Sequence, residues 1–181
     1  DHRDLHSFPT RRSSDLKKQE SLEMLQIFWD NGKSFNEADS VRYLFRNGKI
    51  QTEFELPENT TMLRLDPGEM SKGLKIVKLT WEDESQVKFH TDGCEVSSGE
   101  FYFGGDDPQI IVDSVPENRK SIKIEMEILD RKTTEKKFWK VYAEQKRAME
   151  QMSQELAQKK ALVDQVEGSK AWKVYRAIKR V

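Results

Sequence analysis

The sequence predicts a mainly β fold, an antiparallel β-sandwich of jelly-roll type, followed by a long C-terminal α-helix that forms a coiled coil. Three observations carry this. Between Leu22 and Asp130, short apolar runs are broken by turn signals about every 8–12 residues, as in sandwiches and barrels. From about Thr134, glycine and proline vanish until Gly168 and the apolar period becomes helical. Charge divides at the same boundary. Residues 17–130 carry 14 Lys/Arg against 23 Asp/Glu, while residues 131–181 carry 14 against 6, so an acidic body bears a basic tail.

The body, residues 17–130, reads as about nine strands. Leu22–Trp29 is the first and closes at Asp30-Asn31-Gly32. Val41–Phe45 meets Asn47-Gly48, the strongest short hairpin turn because both residues tolerate positive φ, and Ile50–Leu56 returns with strict alternation. Pro57 ends that run by removing a ladder donor. Thr61–Asp66 stops at Pro67-Gly68, and Leu74–Trp81 follows. Val87–His90 is a weak strand before Thr91-Asp92-Gly93. Phe101–Phe103, Gln109–Val112 and Ser121–Leu129 complete the set. Most gaps are too short for a crossover helix, so antiparallel order is expected.

Equal shares of hydrophobic and charged residues, 35% each, fit a compact half joined to a solvated one. The single cysteine, Cys94, excludes an intramolecular disulfide, and no apolar run approaches the roughly 18–20 residues that span a bilayer. These features read as a soluble, intracellular chain. An acidic body would repel nucleic-acid phosphates, so no nucleic-acid partner is expected.

No catalytic constellation is visible, and no cofactor is expected. His90 and Cys94 are the local nucleophile–base candidates, but they flank a turn after a weak strand and read as a surface imidazole beside an edge thiol. Gly104-Gly105-Asp106-Asp107-Pro108 offers carboxylates, yet calcium takes about six to eight oxygens, so a loop with no metal is the expectation. β-sandwiches hold sugars on exposed aromatic faces, with Trp29, Tyr43, Trp81 and Tyr102 in reach. Trp81 and Tyr102, with Asp106 and Asp107, are the candidate glycan contacts, while Phe28, Phe54 and Phe101 are assigned to the core.

In residues 131–167, positions Phe138, Tyr142, Gln145, Met149, Met152, Leu156, Lys159, Val163 and Val166 step by alternating four and three, a heptad seam. A helix over residues 134–167 is about 50 Å long, too long to pack wholly on the body, so it serves as a spacer or self-associates. Gly168 interrupts, and Ser169 is placed to cap a second helix. Residues 168–181 form a basic amphipathic segment. Trp172, Lys173, Tyr175, Arg176, Lys179 and Arg180 are its candidate contacts, to an anionic membrane surface or to a following domain.

Asp1–Leu16 shows no hydrophobic period and resembles a translated sequencing-library adapter, so it is expected to be disordered and foreign to the fold, with the natural fragment starting near Lys17 and continuing past Val181. In the rest, an all-β module containing Leu65-Asp66-Pro67 and Asp106-Asp107-Pro108-Gln109 precedes a coiled coil and then Ser169-Lys170-Ala171-Trp172-Lys173-Val174-Tyr175-Arg176. Over residues 22–181 this order resembles bacterial glycosyltransferases of cell-surface polysaccharide synthesis, of the family 2 and rhamnan-synthesis types of gut Firmicutes. The transferase unit of such proteins is an α/β domain with an acidic metal motif, and nothing in this chain matches it. The resemblance therefore implies a non-catalytic accessory and spacer region in the cytoplasm, at the inner face of the membrane. Two other classes compete: an assembly module whose sandwich binds protein, and a carbohydrate-binding module of an exported enzyme.

Overall fold

A computed structural model describes residues 23–178. Ten strands form two five-stranded antiparallel sheets, and two helices follow. The adapter-like residues 1–16 lie outside the described residues.

The first sheet has the order β2-β1-β4-β9-β6, built from Ser40–Leu44, Met24–Asp30, Met62–Asp66, Ile110–Val112 and His90–Thr91. The second has the order β3-β10-β5-β8-β7, from Lys49–Glu55, Ser121–Leu129, Lys72–Trp81, Glu100–Phe103 and Cys94–Ser97. Period-two alternation decides which side chains enter the core. Leu25, Ile27, Leu63, Leu65, Ile110 and Val112 from the first sheet join one buried cluster with Phe54, Leu74, Phe103, Ile122, Ile124 and Met126 from the second.

Asn47 and Gly48 do form the tight turn, both with positive φ, and Arg46 and Lys49 exchange backbone hydrogen bonds of 2.8 and 3.0 Å. The strands on either side do not make a hairpin, however. β2 pairs with β1, while β3 pairs with β10, so the chain passes from one sheet to the other at this turn. Buried Phe45 explains the divergence: its N–H still bonds Glu23 O at 2.9 Å while its ring enters the core. A second difference is β7, a tenth strand beyond the nine the sequence predicts. It folds back on β8 through Ser98-Gly99, where Gly99 has φ 71°.

Helix α1 spans Arg131–Gly168, 38 residues or about 57 Å. Asp130 caps it, its carboxylate accepting from Thr133 N at 2.8 Å and Thr133 Oγ1 at 2.6 Å. Those bonds hold its pKa below the ordinary carboxylate value. Gly168 stays within α1, the break falls one residue later at Ser169, and helix α2, Lys170–Ile178, begins directly after it. Among the described residues, no helix is long and apolar enough to cross a membrane.

Candidate functional site

The base of α1 is fixed to the second sheet. Gly73 in β5 carries no side chain, so Thr134 comes down onto the strand and is only 2% exposed. Thr134 Oγ1 donates back to Asp130 O at 2.9 Å, which satisfies the hydroxyl in this dry place. Lys137 Nζ pairs with Glu100 at 2.5 Å, and the Phe138 ring lies 5.1 Å from that of Tyr102. Trp139 and Tyr142 extend the aromatic cluster outward, each ring within about 6 Å of Phe138.

Beyond this joint the helix leaves the body. Every residue from 144 to 168 is exposed, a length of about 37 Å. The seam lies bare along it: Met149 is 68% exposed, Met152 70% and Leu156 71%, with Val163 and Val166 both over half exposed. An amphipathic helix normally buries such a stripe, and among the described residues nothing covers this one.

At the far end Ser169 leaves the helical conformation with ψ 149° and accepts a hydrogen bond from Trp172 N at 3.2 Å, the expected cap. Trp172 and Tyr175 stack with centroids 5.4 Å apart. The side chains of Lys173 and Arg176, and Lys179 and Arg180 altogether, lie outside the described residues.

The candidate glycan contacts do not assemble. Trp81 is 4% exposed and belongs to the core cluster, so its face is closed to a sugar. The neighbouring acidic run is spent on holding the β5 turn: Asp83 pairs with Arg119, and Glu84 pairs with Lys78 and with Lys123, the latter at 2.6 Å. The Arg119 and Ser85 hydrogen bonds depress the Asp83 pKa, and the lysine bonds depress that of Glu84. Tyr102 is 8% exposed, shut beneath α1 by Phe138. Asp106 and Asp107 remain exposed in their loop, and Asp107 Oδ2 accepts from Gln109 Nε2 at 2.7 Å.

Asp107 instead lines a cleft of about 590 Å³ on the outer face of the first sheet, with Gln26, Glu37, Arg42, Arg64 and Asp66. Phe28 is buried, as expected, but outside the cluster the two sheets share. It is buried on the opposite face from Leu25 and Ile27, and the Arg64 guanidinium covers its ring at 4.1 Å. Arg64 Nη2 also donates to Asp66 Oδ2 at 2.9 Å. Burial pushes the Asp66 pKa up to about 6, outweighing the pull of Arg64. Arg64 and Asp66 are two apart in a strand and so share a face, a spacing legible in the sequence. Glu37 closes the far wall, accepting from Gln26 Nε2 at 2.9 Å. Among the described residues, no three His, Cys, Asp or Glu side chains gather as a metal centre requires, and His90 is engaged with Asp113 at 2.8 Å.

No family model matches this sequence, and no match was found among curated proteins or solved structures.

Proposed function

We propose that this chain is a non-catalytic spacer and assembly module: a β-sandwich mounted on a helical rod that joins a second copy of itself through a coiled coil. The exposed seam of residues 144–168 carries the reading. The shared core of the two sheets supports the sandwich, since face-to-face sheets bury one common cluster. The joint at Gly73 and Thr134 supports the spacer role, because it fixes the rod's direction relative to the body.

Magnitudes favour association by a modest margin. Fully burying a Met, Leu or Val stabilises by about 1.5–3 kcal/mol. Two copies of a seam some two-thirds exposed therefore offer roughly 10–20 kcal/mol, against about 4–15 kcal/mol lost on association. Gln145 and Lys159 lower the gain, so pairing is expected at roughly micromolar concentrations. In the setting that the glycosyltransferase resemblance implies, such a rod would hold a transferase at a set distance from the membrane or from its twin. The burial of Trp81 and Tyr102 weighs against a sugar-platform role.

Amide hydrogen exchange tests the reading. Paired rods slow exchange across residues 144–168 as protein concentration rises; exchange in that segment that is fast and independent of concentration would refute it.

A further inference from the structure

We infer that the two rods pair antiparallel, an inference that rests on the self-association reading above. The seam fixes the choice through its two polar members. In a parallel, in-register pair each seam residue meets its own twin, so Lys159 faces Lys159 and Gln145 faces Gln145. No acidic residue occupies the seam, and Lys160 follows on its flank, so two ammonium groups would be driven together with positive neighbours.

Antiparallel pairing about Gln154 removes this conflict. The seam spacing reads the same in both directions from Tyr142 to Val166, so a twofold axis maps it onto itself, as an isologous interface requires. Gln145 then meets Val163 of the second copy, Lys159 meets Met149, and Met152 meets Leu156. The Lys159 stem lies along the Met149 side chain while its ammonium reaches solvent at the edge. Parallel pairing offers one compensation, Glu155 opposite Lys160 of the second copy. That pair would be exposed, as are the like charges the antiparallel register brings together on its flanks, Glu155 with its twin and Lys146 with Lys160 of the second copy, and such exposed pairs are outweighed by a like-charge layer within the seam. The outcome is a dumbbell, with the β domains at opposite ends and the bases of the two rods, taken at Tyr142, about 36 Å apart along the axis.

Pulsed electron resonance on spin-labelled chains decides the matter. Labels go on single cysteines at Glu144→Cys or Asp164→Cys, both off the seam, in a Cys94→Ser background. Antiparallel pairing puts two 144 labels about 30 Å apart along the axis and likewise two 164 labels, while a mixture of the two variants gives a short distance of roughly 10–15 Å. A dimer showing short 144-to-144 and 164-to-164 distances overturns the orientation and leaves self-association standing. A monomer with no interchain distance overturns both.

Discussion

Gly73→Ala is predicted to loosen the joint on which the rod stands. Gly73 has no positive φ, so the backbone accepts alanine and the whole effect is steric. The added methyl would sit 2.8 Å from Thr134 Cβ and 3.0 Å from its Cγ2, inside the 3.4 Å at which ordinary contact begins, and closest to Oγ1. Thr134 has nowhere to go, since it is 2% exposed and its hydroxyl is held by Asp130 O. The cost falls at the upper end of overpacking, about 2–3 kcal/mol. In urea this lowers the unfolding midpoint by about 1–2 M. Trypsin should at the same time cut faster at Lys132, Lys136 and Lys137 as the helix base lifts from β5 and β8. Thr134→Ala in the same chain removes two of the three colliding atoms, Oγ1 and Cγ2, and leaves only Cβ, so the double variant should be less destabilised than the sum of the singles. Unchanged stability in Gly73→Ala, or strict additivity in the double variant, would refute the close-packed joint.

Two further outcomes follow from the cleft and the second helix. Asp66, with its folded pKa raised to about 6 from 3.8, binds its proton more tightly folded than unfolded. Its contribution to stability is therefore full below pH 3.8 and is lost as pH rises through 6, about 3 kcal/mol in all. Measured by denaturation against Asp66→Asn, which cancels the other carboxylates, wild type should gain by that order between pH 8 and pH 4; a pH-independent difference would count against the buried carboxylate. Ser169→Ala removes the hydrogen bond to Trp172 N, a cap worth about 0.5–2 kcal/mol. Ellipticity at 222 nm should fall by part of the α2 signal while the melting of the β domain stays put.

The local rules reached far in this sequence. Strict alternation marked Ile50–Leu56, whose Ile50 and Phe54 enter the core, and Ser121–Leu129 is bounded in the sequence as it is in the structure. The helical seam stood out because no glycine or proline interrupts it. What escaped depended on distant chain. Tyr102 lies on the outer face of its strand, as a surface ring would, and only the return of Phe138 far along the chain covers it. Trp81 sits beside three acidic residues that look like a rim, yet Asp83 pairs with Arg119, Glu84 pairs with Lys78 and Lys123, and the Glu82 carboxylate accepts from the Lys120 and Ser121 N–H groups, with the ring inside. Asn47-Gly48 specifies a turn but not which sheet receives the next strand; β10, some seventy residues later, decides that by pairing with β3. Phe28 is buried as its type suggests, but strand parity puts it on the other face of β1, under Arg64.

The most direct test of the assembly reading is the mass of the chain in solution. Sedimentation equilibrium across about 1–100 μM brackets the expected affinity. Self-association through the seam predicts a mass approaching twice 21.2 kDa at the upper end, returning to 21.2 kDa when Met152 and Leu156 are both replaced by glutamate. A mass of 21.2 kDa at every concentration would contradict it and leave the rod as a spacer whose bare seam does not join two copies of this chain.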